Sequence, residues 1–170
     1  MPKGLKETSS TVAIGFSVAE TGPNTFTEGA VDLNLDPLNN EVFVVQAIDM
    51  TLGPSDAIAA TDTAMFASLT TTSQTAVATL ADSNCLAIAG NQIRASGFVD
   101  GGVAFQQTPT ESPGTVLEYI GIIATNDFFV QIAGSNNALP HSVSGKLYGY
   151  RARADASVYA ALVQSEVLSA

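Results

Sequence analysis

VAIGFSVA, residues 12–19, alternates apolar and small side chains along its whole length. In an extended chain, successive side chains point to opposite faces, so the larger side chains of this segment fall on one face. A period of two therefore predicts a β-strand with one buried face. That face carries Val12, Ile14, Phe16 and Val18.

Similar strand patterns recur further along the chain. Val31, Leu33 and Leu35 alternate with polar residues, which predicts a second strand with an acidic outer face. EVFVVQAIDMTL, residues 41–52, is rich in β-branched and aromatic residues and predicts a strand central in a sheet. Further strands are predicted at residues 64–69, 75–80, 92–99, 103–105, 115–124, 128–134 and 145–153, and a hairpin turn at residues 100–102.

Eight or nine short strands, separated by Gly, Pro and Asn, indicate a β-sandwich or a barrel. Their spacing is too short for the crossover connections of parallel sheets. Residues 57–67 are alanine-rich, which leaves a short helical turn open as an alternative there. The one good helix candidate is residues 156–168, with Asp155 as N-cap and an apolar side made of Tyr159, Leu162, Val163 and Val167. We expect one domain over residues 1–170, with residues 1–10 as a flexible arm.

Composition points to an assembled protein. Apolar residues make up 46% of the 170 and charged residues 13%, with a net charge of −10. The apolar content is enough for a core and excludes a disordered acidic chain. A mean hydropathy of +0.25 is high for a monomer, so we expect surface to be hidden between copies. The negative charge, with no basic stripe, argues against direct nucleic-acid binding by the folded domain.

The residues that usually perform catalysis are sparse. The single histidine, His141, follows Pro140 in a polar loop, and the nucleophile motif G-x-S-x-G does not occur. Asp32 and Asp36 share one strand face, but no tryptophan is present to line a sugar cleft. No phosphate-binding glycine motif occurs either. We therefore expect no enzyme activity and no cofactor.

Metal and thiol chemistry is equally poorly supported. The acids Asp56, Asp62 and Asp82 could offer oxygen ligands to calcium, but no calcium-loop motif accompanies them. We interpret them as solvated loop acids and expect no metal site. Cys85, the one cysteine, lies in an apolar run and is interpreted as a small buried hydrophobe.

The C-terminal segment, residues 145–170, is the strongest candidate for contacts between subunits. It holds half of the basic residues together with two tyrosines and the amphipathic helix. Tyrosine and arginine are enriched at protein interfaces, and an acidic body offers the arginines partners on a neighbouring copy. The predicted interface residues are Tyr148, Tyr150, Arg151, Arg153, Tyr159, Leu162 and Val163.

In this layout the chain resembles the single jelly-roll major capsid proteins of tailless double-stranded DNA viruses, above all in residues 43–52, 67–73 and 148–166. The resemblance implies a single jelly-roll β-sandwich with a short C-terminal helix. It also implies a capsid subunit that is made in the host cytoplasm and located in the virion. The expected partners are copies of itself, other capsid subunits and an internal membrane. Two alternatives stay open: a jelly-roll binding module, such as an adhesin or lectin-like trimer, and an enzyme on a β-scaffold.

Overall fold

The computed structural model describes residues 2–97, 105–107 and 117–170, and for residues 105–107 it describes the backbone alone. Within these residues the chain forms ten β-strands, a short 3-10 turn at Pro37–Asn39 and one α-helix. The strands are β1 (Leu5–Glu7), β2 (Val12–Ala19), β3 (Thr27–Asp32), β4 (Glu41–Leu52), β5 (Thr63–Thr70), β6 (Cys85–Arg94), β7 (Phe105–Gln107), β8 (Gly121–Ile123), β9 (Asp127–Ser135) and β10 (Ser142–Ala154); the helix is α1 (Ala156–Leu168).

The strands form two antiparallel sheets. In the first sheet, β10 has β1 and β2 end to end along one side and β4 along the other, with β8 beyond β4. The second sheet has the order β3-β9-β5-β6-β7. Leaving out the short β1 and β7, the eight remaining strands lie in the orders 1-8-3-6 and 2-7-4-5, which is the jelly-roll arrangement. The predicted single jelly-roll β-sandwich with a short C-terminal helix is confirmed.

The inner faces of the two sheets enclose the core. Phe16 of β2 and Phe128 of β9 meet edge to face, with ring centroids 5.9 Å apart and planes at 80°. Such a pair adds about 0.5–1.5 kcal/mol to the gain from burial. Around it lie the other fully buried side chains: Leu33, Phe43, Val45, Met65, Leu69, Ile123, Val130, Ile132, Val143 and Leu147. Of the face predicted to be buried on residues 12–19, Phe16 and Val18 lie in the core and Ile14 is partly buried against it, whereas Val12 is 40% exposed.

Strand β4 is buried on both faces at its beginning, as predicted for a central strand. Phe43 and Val45 face the core between the sheets, whereas Val42 and Val44 belong to a second apolar cluster on the outer face. Opposite β10, the register shifts so that Gln46 is left between two paired residues. Because of this bulge, the odd-numbered Phe43 and Val45 and the even-numbered Ile48, Met50 and Leu52 all face the same core.

Several predicted strands are wrong in position or extent. Residues 75–80 form no strand, and the strand predicted at 92–99 is instead β6, which ends at Arg94. Of the described residues 117–124, only Gly121–Ile123 are extended and paired. Within this segment Ala78 alone is buried, and its N–H donates to Ser68 Oγ of the second sheet at 3.0 Å.

Two further expectations are corrected by backbone hydrogen bonds. Leu33 and Leu35 are buried as expected, but they lie beyond the end of β3, and their N–H groups bind the carbonyl and the side-chain oxygen of Asn126. The helical turn considered at residues 57–67 does not form. A single turn closes from Thr61 N to Ile58 O, and β5 follows at once.

The N-terminal segment is not a free arm at residues 5–7. These residues form β1, which pairs with the end of β10, and Leu5 is buried against the outer cluster. The hairpin turn predicted at residues 100–102 lies outside the described residues.

Candidate assembly surface

Helix α1 packs across the outer face of the first sheet. Its beginning is tied to the N-terminal segment, because Asp155 N donates to Gly4 O at 3.2 Å. An apolar cluster lies beneath it, made of Leu5, Val42, Val44, Ala124, Tyr150, Ala152 and Ala154 from the sheet and of Val158, Tyr159, Leu162 and Val163 from the helix. Four predicted interface residues, Tyr150, Tyr159, Leu162 and Val163, therefore make contacts inside the subunit.

Glu166 fastens the last turn of α1 to the turn between β8 and β9. Its Oε1 accepts from Ala124 N at 2.8 Å and its Oε2 from Thr125 N at 2.9 Å. The residue is 8% exposed, and burial raises the pKa of its carboxyl, while the two backbone donors act in the opposite direction. The sequence analysis did not predict this contact. Its one signal was that Glu166 is the single charged residue of the predicted helix. Asp155 does precede the helix, but its carboxylate caps no N–H.

Arg151 has partners within its own subunit. Its Nη2 donates to Leu33 O at 2.7 Å, and its Nη1 donates to Asn34 O at 2.9 Å and lies 3.4 Å from Glu41 Oε2. The guanidinium thus holds loop 33–40 against β10. Glu41, on the neighbouring strand, thus supplies an acidic partner from the same chain, whereas the sequence had predicted partners on a neighbouring copy.

Arg153 and Tyr148 remain on the surface. Arg153 is exposed and donates only to the carbonyl and side-chain oxygens of Asn39, at 3.1 and 2.8 Å. Tyr148 is half-buried on the outer face of the first sheet, between Ala13 and Ala47 on the flanking strands. Tyr159, Leu162 and Val163 are likewise half-buried, so part of each of these side chains is also accessible.

At the opposite end of the sandwich, two acids interpreted as solvated are loop-fastening groups. Asp56 Oδ2 accepts from the N–H groups of Ala138 and Leu139, at 2.8 and 3.0 Å. Asp62 Oδ1 accepts from those of Ala95 and Ser96, at 2.8 and 2.9 Å. The backbone donors, led by Leu139 for Asp56 and Ser96 for Asp62, lower the pKa of both carboxyls.

The other acids considered in the sequence analysis also accept hydrogen bonds from backbone N–H groups near them in sequence. Asp32 accepts from Asn34 N, Asp36 from Leu38 N, and Asp82 from Thr79 N. In the part of the chain that the structure describes, no three His, Cys, Asp or Glu side chains converge as a metal site would require.

His141 and Cys85 were the remaining candidates for acid–base or nucleophilic chemistry. The ring Nε2 of His141 lies 3.2 Å from Asp56 Oδ1, an ion-pair distance, but the orientation is not that of a hydrogen bond. Its backbone N–H donates to Glu20 Oε2 at 3.0 Å and helps to close the loop. Cys85 is half-buried, and burial raises the pKa of its thiol to about 11, so that thiolate is scarce at neutral pH.

Exposed apolar side chains collect at the end where α1 lies. Leu38, on the 3-10 turn, is 93% exposed, and Leu168, in the last turn of the helix, is 76% exposed. Val167 and Leu80 are exposed as well. Asn84 Nδ2 donates to Ser169 O at 3.3 Å, which brings loop 71–84 next to the helix terminus. We call Leu38, Leu80, Val167 and Leu168 the apolar end residues.

The outer face of the second sheet is polar and partly covered. Glu28 accepts from Ser73 Oγ at 2.6 Å and from Gln74 N at 2.7 Å, so loop 71–84 is fastened over this face. Gln131, fully buried there, donates to Glu28 Oε2 at 2.9 Å and to Thr70 Oγ1 at 2.7 Å. This hydrogen-bonded cover satisfies side chains that would otherwise be buried without partners.

Beyond that cover, Phe66 stands exposed in a shallow groove of about 340 Å³. Its neighbours on the flanking strands are Gly90 and Ala133, which leave the ring uncovered at both sides. The groove is also lined by polar side chains, among them Gln92, Arg94 and Asn136.

No known family model and no curated protein matches this chain. Among the described residues, no helix has the length and apolar character needed to cross a membrane. Inferences about function therefore depend on the fold and on the surfaces described above.

Proposed function

We propose that the chain is a structural subunit that assembles with copies of itself into a closed shell, the capsid of a tailless double-stranded DNA virus. The observation that carries this proposal is the set of apolar end residues on a jelly-roll sandwich of low charge content. Large apolar side chains that are exposed on a turn, a loop and a helix end contribute little to the core of their own subunit, and contact with another subunit would bury them.

The remaining surface is consistent with a role in packing. Loops at both ends are fastened by side chains: Arg151 and Glu166 at one end, Asp56 and Asp62 at the other. Rigid loops favour repeated, identical contacts because little conformational entropy is lost on association. Host-made subunits would then assemble in the cytoplasm into the virion, with other capsid subunits or an internal membrane as additional partners.

The test is the mass and shape of the purified full-length chain. We expect symmetric oligomers or particles in sedimentation velocity and electron micrographs. The double variant Leu38→Ser and Leu168→Ser should lower the assembled fraction, whereas Leu139→Ser, which is also exposed (63%) but lies at the opposite end, serves as the control. A monomer at all concentrations and salt conditions would overturn the proposal.

A second candidate function, a sugar-binding module, is favoured by the Phe66 groove. An exposed aromatic ring offers an apolar face on which a pyranose can stack, while Gln92, Arg94 and Asn136 could hydrogen-bond its hydroxyls. Asn136 is already oriented, since its Nδ2 donates to Asp62 O at 3.0 Å.

This second function is tested with a panel of immobilised oligosaccharides. A binding module should retain one class of sugar, and Phe66→Ala should abolish that retention while Leu117→Ala, another exposed apolar residue, leaves it intact. Absence of binding across the panel removes this candidate and leaves the assembly proposal unaffected.

A further inference from the structure

The edges of the two sheets are protected to different degrees. An open strand edge presents unpaired N–H and C=O groups, and proteins usually protect it by shortness, charge, proline or bulges. Strands β1, β7 and β8 have three residues each, and β1 also carries Lys6 and Glu7. Strand β3, the edge of the second sheet, carries Glu28 and Asp32, which would repel another acidic strand.

Strand β2 has none of these protections. It pairs with β10 over all eight residues, from Val12 to Ala19, without a bulge. It contains no proline and no charged residue, and the neutral stretch extends back to Thr8. In the described part of the chain, no strand lies on its other side. The outward-facing residues of β2 are exposed: Ala13, Gly15, Ser17 and Ala19.

Charge favours this edge as the place where two copies meet. The chain carries a net charge of −10, so most approaches between two copies are repulsive. Along residues 8–19 there is no charge to oppose the approach. On the outer face beside this edge, Lys146 and Asp49 are paired across β10 and β4, so their charges offset one another.

We propose that β2 pairs antiparallel with β2 of a second copy, which joins the two first sheets into one continuous sheet across a two-fold axis. The same surface serves both copies, so the contact closes on itself as an isologous dimer. Its hydrogen bonds come from the backbone groups of β2 that point away from β10. This inference rests on the assembly proposal and names one contact by which assembly begins.

The test places a lysine on the edge and on a matched position one strand further in. Ser17 on β2 and Ser144 on β10 are directly paired, and both are exposed on the same face. Ser17→Lys should weaken dimerisation about tenfold or more, because edge lysines oppose strand pairing. Ser144→Lys adds the same charge to the same face and should leave dimerisation close to that of the natural chain. Circular dichroism and a cooperative urea transition at a protein concentration where all chains are monomeric show that both variants are folded.

Sedimentation equilibrium measures dimerisation, and hydrogen exchange locates the contact. Amides of residues 12–19 should become protected as protein concentration rises, and Ser17→Lys should remove that protection. If both lysines abolish association, the copies stack through the sheet face and the edge contact is wrong. If neither lysine changes association, assembly stands but β2 is not the contact. A natural chain that stays monomeric overturns the assembly proposal and this contact with it.

Discussion

Removing the side chain of Arg151 should destabilise the subunit itself. In Arg151→Ala, the carbonyl of Leu33 loses its donor at a residue that is 1% exposed, and an unsatisfied buried acceptor costs about 1–3 kcal/mol. The exposed carbonyl of Asn34 regains water, and the partly exposed pair with Glu41 contributes about 0–1 kcal/mol. We therefore expect the free energy of unfolding to fall by about 2 kcal/mol.

Arg153→Ala is the matched control. Its guanidinium binds only Asn39 in an exposed turn, so the free energy of unfolding should change by less than about 0.5 kcal/mol. Arg151→Lys should recover only part of the loss, because an ammonium cannot bridge two carbonyls as the planar guanidinium does. Urea unfolding gives the free energies, and for a domain of this size 2 kcal/mol lowers the thermal midpoint by about 4–8 °C.

Equal unfolding midpoints for Arg151→Ala and Arg153→Ala would refute the reasoning that Arg151 holds loop 33–40. If Arg151→Ala were as stable as the natural chain but failed to assemble, the arginine would act between subunits, as the sequence alone had predicted.

Three further predictions concern buried charge, acid and backbone packing. Burial raises the pKa of Glu166 in the folded state. The difference in the free energy of unfolding between the natural chain and Glu166→Gln should therefore be largest below the unfolded pKa and should shrink as pH rises through the folded pKa. Urea titrations at several pH values measure this difference. The pKa values of Asp56 and Asp62 are lowered, so the stability that they contribute is present above about pH 4 and is lost as pH falls through their folded pKa values. The hydrogen-exchange rates of the amides that they bind should rise in that pH range. Asp56→Asn should remove this pH dependence for the loop that Asp56 holds. Gly145→Ala should cost about 2 kcal/mol or more because a Cβ would collide with the carbonyl of Asp49. Gly15→Ala should cost far less, because its Cβ would make only an ordinary contact with the carbonyl of Gly145 at 4.0 Å; thermal unfolding compares the two variants.

Elements with strong local periodicity were predicted accurately. The strand Glu41–Leu52 and the helix Ala156–Leu168 have the predicted bounds. The first segment is rich in β-branched and aromatic residues and the second contains no helix-breaking residue, so neither sequence favours a competing structure. The beginning of β6 was not predicted. Cys85–Gly90 contains few β-branched and no aromatic residues, so its sequence does not indicate a strand.

The contacts of the candidate site could not be predicted in this way. Arg151 meets Leu33 and Glu41 only because β10 lies beside β4, and strand order is not encoded in periodicity. Glu166 likewise finds its partners through the docking of α1 onto the first sheet. The sequence identified Tyr159, Leu162 and Val163 as a contact surface but not that their partner is the subunit's own sheet.

The position of β10 has a consequence for how the chain folds. It follows the other strands of the sandwich in chain order, yet it lies inside the first sheet, where Leu5 pairs with Ala154 and Val12 with Gly149. Until residues 142–154 leave the ribosome, β2 and β4 have no partner between them, and the uncharged β2 has both edges open. Pairings so distant in sequence close slowly, because the entropy of a long loop is lost before the contacts form. We expect slow folding, and chains shortened before residue 142 should aggregate instead of folding.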